Sequence, residues 1–257
     1  MSGRGGPNGP SLSALVVAHD EEAQLAQCLD RLKFADEIVV VLDRCSDGSK
    51  AIAQTYTDKV VEGAWPIEGE RRNAGIDACT SDWIVEVDAD ERLPEALAEE
   101  IRATIGGAAP GYFLIPFDNY IGGRLVRHGW GASWGVSAAP RLFSKGAKRW
   151  GGQRIHPSLD LKGGKRWLKT PMDHYVDRDI SGMIARLDRY TTARAADLRD
   201  SGDIGSLANN IRRVFSRFFK CYVRRRGYRE GGYGFLIALF AGLYPLISYL
   251  KARLEDQ

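Results

Sequence analysis

Three short runs of this chain, residues 12–17, 37–42 and 83–87, are almost wholly apolar and rich in β-branched side chains, with no polar alternation. Strands of that kind must be covered on both faces, which excludes a half-exposed antiparallel sheet. Between them lie stretches with helical spacing. Leu25, Ala26, Leu29 and Leu32 form one apolar stripe, residues 50–56 read as a short helix, 59–62 as a brief strand, and Glu68–Ala78 as a longer helix. Strands alternating with helices imply βαβ units. The expected fold is α/β, Rossmann-like, with a mostly parallel sheet and helices on both faces.

Sheets built this way bind ligands beyond the carboxyl ends of their strands, near a reversal of strand order. The polar clusters of this sequence fall at those ends: His19-Asp20-Glu21-Glu22, then Asp43-Arg44-Cys45-Ser46-Asp47-Gly48-Ser49, then Asp88-Ala89-Asp90. Residues two apart on an extended chain point the same way, so Asp88 and Asp90 can face one ligand. Adjacent carboxylates repel unless a cation lies between them, and oxygen ligands suit Mg²⁺ or Mn²⁺. The plainer reading is an acidic loop that starts the next helix, since Asp90-Glu91-Arg92-Leu93-Pro94 has that form. A dinucleotide-binding domain needs Gly-x-Gly-x-x-Gly after the first strand, and this chain has carboxylates there instead.

The chain has 257 residues and a net charge of +3, enough for one large core and an appendage and too little charge for a general polyanion binder. Cys28, Cys45, Cys79 and Cys221 show no paired spacing, which fits a reducing compartment and argues against a disulfide framework or a zinc site. Residues 1–10, rich in Gly and Pro, read as a disordered leader and lack the apolar core of a secretory signal.

Taken together, Val-Val-Ala-His-Asp-Glu-Glu, Val-Val-Val-Leu-Asp-Arg-Cys-Ser-Asp-Gly-Ser, Glu-Arg-Arg-Asn-Ala-Gly and Glu-Val-Asp-Ala-Asp-Glu-Arg resemble the motifs of family 2 glycosyltransferases. The resemblance is to the bacterial branch that includes lipopolysaccharide core β-glucosyltransferases, and it runs from about Leu12 to the C-terminus. It implies a GT-A fold, a nucleotide-sugar donor, a divalent metal and inversion at the anomeric carbon. Residue by residue, it implies that Val17, His19 and Glu21 line the nucleotide pocket and that Asp43 accepts from the base or ribose. It further implies that Arg72 faces the diphosphate and that Asp88 and Asp90 hold metal and donor. Each has a plainer alternative: Asp43 as a turn former, Glu21 as a helix cap, Arg72 as a solvated helix arginine.

Residues 111–170 are irregular and aromatic. Most of these rings are expected to fill core, with Trp130 and Trp134, set among Gly129, Gly131 and Gly135, as the best candidates to stack on an acceptor sugar. The relatives read Val-His-Glu where this chain has Ile155-His156-Pro157. If that Glu is their base, another group must take the acceptor proton here. Asp160, His156 and Asp118 are the candidates, and His156 is alternatively a third metal ligand.

The last third changes character. Residues 180–199 read as a helix with Met183, Ile184, Leu187, Tyr190 and Leu198 inward. A cluster of Arg212, Arg213, Arg217, Lys220, Arg224, Arg225, Arg226 and Arg229 with Phe215, Phe218, Phe219 and Tyr222 precedes the uncharged stretch 233–250. Basic, aromatic sequence beside an apolar helix is the pattern of an anchor on anionic lipid, in which 233–250 lies on the membrane or crosses it, the alternative being a soluble core helix. Nucleic-acid binding fits less well, because the apolar neighbour has no role there. The division expected is a leader (1–10), a catalytic domain (11–175, with a nucleotide-sugar half at 11–106 and an acceptor half at 107–175), and a helical membrane-associating region (176–257). The function expected is transfer of a sugar, guessed to come from a UDP-sugar, to a lipid-linked or lipopolysaccharide-type acceptor on the cytoplasmic face of the inner membrane. A noncatalytic nucleotide-sugar-binding scaffold is the alternative of a different class. A sugar nucleotidyltransferase is a second alternative, weakened by the missing triphosphate loop.

Overall fold

A computed structural model describes residues 9–132, 134–152 and 158–255. The chain forms two compact units, one of Met1–Phe117 with Ala138–His174, the other of Asp118–Ser137 with Tyr175–Gln257. Residues 118–137 group with the C-terminal helices.

In the first unit, β1 (Leu12–Ala18), β2 (Glu37–Asp43), β3 (Val60–Gly63) and β4 (Trp83–Asp88) are parallel neighbours in the order β3-β2-β1-β4. Strand order therefore reverses between β1 and β4, where Val17 lies in register with Asp88. Beyond β4 the sheet turns antiparallel through β8 (Ala138–Ser144) and β6 (Gly111–Ile121), so it is mixed rather than parallel throughout. The two-residue β5 (Glu91–Arg92) pairs with β12 (Met172–Asp177), bringing His174 opposite Glu91.

Alternate residues of β1 enter two different cores, which is why every one of its seven residues is buried. Leu12, Ala14 and Val16 pack with Leu25 and Leu29 of α1 (Glu22–Asp30), Ala53 of α2 (Ser49–Gln54), and Leu97 and Ile101 of α4 (Glu95–Ile105). Leu15 and Val17 pack on the other face with Val39, Val41 and Ile76 of α3 (Glu68–Ala78). Helix α3 sits directly on the strands because Gly75 has no side chain: a Cβ there would come within 2.4 Å of Leu15 and 2.7 Å of Val41. Asn73 of the same helix pins β9 (Lys148–Trp150), donating to the Trp150 carbonyl at 2.9 Å and accepting its N–H at 3.0 Å.

In the second unit, α7 (Gly232–Leu254) packs against α5 (Ile180–Asp200) and α6 (Leu207–Phe219). Asp179 and Ser206 cap α5 and α6 by accepting the N–H groups of Gly182 and Asn209. The core between the helices contains Met183, Leu187, Cys221, Ile237 and Phe240. Of the residues expected inward on α5, Met183 and Leu187 are buried, whereas Ile184 and Tyr190 are exposed. The α5 stripe is narrower than the sequence suggests because buried Arg186, paired with Asp177 at 2.7 Å, occupies part of that face.

Candidate active site

The carboxyl ends of β1, β2 and β4 form one rim of the first unit, and the backbone explains much of its acidity. Asp20 accepts the N–H of Ser46 at 2.7 Å, Asp47 that of Glu22 at 2.9 Å, and Glu22 that of Gly48 at 2.7 Å. These contacts lace the loops after β1 and β2 together. Asp20, Cys45 and Asp47 also bring one ligand atom each within 4.8 Å of one another.

Asp43, the last residue of β2, is buried and fully engaged. It accepts from the Trp65 N–H at 3.0 Å, from Arg44 at 3.0 and 3.1 Å, and from Arg71 at 3.1 Å. Burial works to raise its pKa, but the Arg44 and Arg71 guanidinium groups and the Trp65 N–H outweigh it and hold the carboxyl below the usual range. His19 Nδ1 donates to the Asp43 carbonyl at 2.6 Å, which joins the first two strand ends. Glu21 does not cap α1 with its side chain, which instead accepts from Gln24 at 2.7 Å. Its pKa is raised, first by burial and further by the charges of Asp90, Asp47 and Asp88, with Gln24 opposing.

Around Asp88 the structure places a buried set of alternating charges. Arg72 donates to Asp88 Oδ1 at 2.9 Å, Glu86 at 2.5 Å and Glu68 at 2.9 Å. Arg141 donates to the other Asp88 oxygen and to Glu91 at 2.5 Å. Lys148 donates to Glu86 at 2.7 Å and to the Pro140 carbonyl at 2.9 Å. Burial alone would raise the Asp88 pKa, yet the flanking guanidinium groups of Arg141 and Arg72 hold it far below the usual range. Glu86 is held down to about 2, since Lys148, Arg72 and Arg141 together outweigh its complete burial. Lys148 moves down to about 8, because burial, helped by the repulsion of Arg141 and Arg72, outweighs the attraction of Glu86. Both partners nonetheless remain charged at neutral pH.

Asp90 differs from Asp88. Its side chain is about a third exposed, and its carboxylate lies 3.5 Å from His174 Nε2. The His174 ring is raised in pKa, its burial opposed and outweighed by Asp90 and then Glu91. The donor set fits a small divalent cation: two ligand atoms each about 2.1 Å from one ion and at right angles lie about 3 Å apart. Imidazole and carboxylate both suit Mn²⁺, while carboxylate with water suits Mg²⁺.

Several of the residues singled out in the sequence therefore meet at one rim. Val17 lies beside Asp88, His19 touches Asp43, and Glu21 feels both Asp88 and Asp90. Arg72 is placed differently from the expectation, because its guanidinium is buried and engaged by three carboxylates instead of facing a diphosphate. Asp160, on β10 (Leu159–Leu161), is exposed and 3.9 Å from Lys162. Asp118 belongs to the second unit, where Arg127 lies 3.9 Å away. His156 lies outside the described residues. Trp130 and Trp134 correct the expectation of an acceptor platform. Both are core residues of the second unit, Trp130 donating to the Val126 carbonyl at 2.6 Å and Trp134 lying between Arg186 and Phe240. Their ring faces are covered, so neither can stack on a sugar. The sequence reading missed Glu86, Glu91, Arg141, Lys148 and His174. Glu86 carried a signal, being a lone carboxylate in an apolar strand that can be buried only with cationic partners. His174 carried none, because only strand pairing brings it to Glu91.

Comparison with known proteins gives the family of the chain. Residues 13–154 match the model of glycosyl transferase family 2. The chain is a family 2 glycosyltransferase. The GT-A fold expected from its motifs goes with that membership. The transferase is 26% identical to the lipopolysaccharide core biosynthesis glycosyltransferase LpsC of Rhizobium meliloti, over 93% of this chain and 91% of the relative. It is 31% identical to an uncharacterized glycosyltransferase of Rickettsia typhi, over 94% and 86% of the two chains. Among solved structures, glucosyl-3-phosphoglycerate synthase from Mycobacterium tuberculosis in complex with Mn²⁺ and UDP-glucose is 20% identical, over 44% of each chain, with a TM-score of 0.37.

Proposed function

We propose that this transferase moves a sugar, with inversion and with the help of a divalent cation, from a nucleotide-sugar donor to a lipid-linked or lipopolysaccharide-type acceptor. The observation that carries the reading is the pair Asp88 and Asp90 at the reversal of strand order. One carboxylate is held ionised between two arginines, and the other stands partly open beside an imidazole. Asp88, already neutralised, can accept a donor hydroxyl without building up uncompensated charge. Asp90 and His174 would hold Mn²⁺ or Mg²⁺, which when bound offsets the charge of the leaving nucleoside diphosphate. Val17, His19 and Glu21 would line the nucleotide pocket. Asp43, rigidly fixed by four hydrogen bonds, would present its strand end to base or ribose. A UDP-sugar is assigned by the motif resemblance alone. The acceptor class rests on the near full-length similarity to a lipopolysaccharide core biosynthesis enzyme. The place of action proposed is the cytoplasmic face of the inner membrane, supported by the basic and aromatic segment 212–229 that precedes the apolar helix α7.

Incubation with a panel of nucleotide sugars, Mn²⁺ and membrane extract is expected to release nucleoside diphosphate, and EDTA is expected to stop it. Binding without turnover on every donor, extract included, would overturn the reading. For the base, Asp160, His156 and Asp118 remain the candidates, with Asp160 first. Asp160→Ala is expected to lower kcat by roughly 10²-fold with donor affinity preserved, the size of a lost general base. Full activity in Asp160→Ala alongside a matching loss in His156→Ala or Asp118→Ala would transfer the role.

A further inference from the structure

Helix α6 has two apolar faces, and the core accounts for one. Its inner side approaches α7 closely, for a Cβ on Gly242 would come within 2.7 Å of the Val214 carbonyl. A second stripe of Leu207, Ile211, Phe215 and Phe219 recurs every four residues, and Val223 follows it in the π-turn that extends the helix (Lys220–Arg224). All five are exposed, Phe215 at 71% and Phe219 at 55%. Single exposed apolar residues are ordinary in soluble proteins, but a continuous line of five is not. Phe235 of α7, also exposed, packs edge-on against Phe218 at 5.7 Å and widens the same surface.

The charge around the stripe selects the occupant. Between Asp203 and Glu230 the chain carries no carboxylate, and Arg212, Arg213, Lys220, Arg224, Arg226 and Arg229 are exposed, whereas Arg217 and Arg225 are half-buried within the unit. A second copy docked through a two-fold axis would set this cationic surface against itself. Leu207, Ile211 and Val223 offer no ring to stack on nucleic-acid bases. An anionic bilayer satisfies both features, taking the aromatic and aliphatic stripe below its headgroups while the arginines pair with phosphates. Helix α7 cannot take that part without unfolding the unit. Ile237, Ala238, Phe240, Ala241 and Tyr244 are buried in the core with α5 and α6, and half of its apolar window is covered by protein.

We propose that α6, through Phe215, Phe219 and their stripe, is the element that inserts into an anionic membrane surface, with α7 as its internal support. The proposal rests on the membrane reading given above and relocates it from the long apolar helix to the amphipathic one. The test is flotation of the full chain with phosphatidylcholine vesicles containing about a third phosphatidylglycerol, at 0.1 and 1 M salt. Wild type is expected to float at low salt and to be partly released at high salt, since salt screens the arginines and not apolar burial. F215S/F219S is expected to weaken vesicle binding at least tenfold with an unchanged melting temperature, because both side chains are exposed. Undiminished flotation of this variant, with wild type floating, would overturn the assignment to α6 and leave the membrane reading standing. Failure of wild type to float on any vesicle would overturn both. Self-association of wild type that the double substitution abolishes, without flotation, would give the stripe to a second copy and overturn the proposal likewise.

Discussion

Asp90→Asn is expected to reduce kcat/KM by about 10³-fold at saturating Mn²⁺, the scale of loss seen when an electrostatic partner of the transition state is removed. The amide keeps the shape of the carboxylate and loses its charge, so a positioning role would survive the change and a ligand role would not. Folding is not at stake, because the side chain is partly exposed and holds together no buried group other than its contact with His174 among the described residues. His174→Ala is expected to raise the Mn²⁺ concentration for half-maximal activity by tenfold or more, since it removes the neighbouring donor. The measurement is initial rate against metal concentration for wild type and both variants. Near-wild-type turnover of Asp90→Asn at low metal would remove Asp90 from any coordination role. An unchanged metal requirement in His174→Ala would confine that histidine to packing against Phe117, 5.3 Å away between ring centroids.

What could be read from the sequence was whatever depends on local pattern. The β-branched runs gave β1, β2 and β4, and the Glu68–Ala78 helix has the expected bounds, because hydrophobic period and strand-end polarity are properties of neighbouring residues. The Asp88–Asp90 pair was visible for the same reason. What escaped depends on partners distant in the chain. Arg72 looked like a residue free to meet a diphosphate, but Glu86 and Asp88 lie across from it on β4 and bind it internally. Arg141 had no visible task until β8 paired with β4. Trp130 and Trp134, flanked by glycines, looked like an open surface and proved to be core, since a glycine-rich loop can also fold tightly over large rings. Gly135 shows this directly: it has φ near +74°, and a Cβ there would lie 2.4 Å from the Trp130 ring.

Arg72→Met is expected to destabilise the protein by about 3–5 kcal/mol, measured by urea unfolding, because it leaves Glu86 and Asp88 in a low-dielectric interior short of one cation. Arg141→Met is expected to behave alike, since it deprives Asp88 and Glu91 together. A loss below about 1 kcal/mol in both would mean that water or rearrangement replaces the guanidinium groups, a cost typical of surface pairs. The pH dependence carries the same signature with a definite sign. Glu86 titrates near 2 in the folded protein, below its ordinary 4.5, so the stability it contributes is fully present above 4.5 and is lost as pH falls through 2. That shift corresponds to roughly 3 kcal/mol. Asp88 is depressed also and adds to the same acid limb, whereas Glu91, raised by burial, works in the opposite direction. Glu86→Gln should therefore lower stability at pH 7, where Lys148 loses its carboxylate partner, and flatten the decline between pH 4.5 and 2. A variant equally destabilised at pH 7 but with an unaltered acid limb would show that Glu86 acts by packing alone, and that the ion cluster holding Asp88 draws its acid sensitivity from the remaining carboxylates.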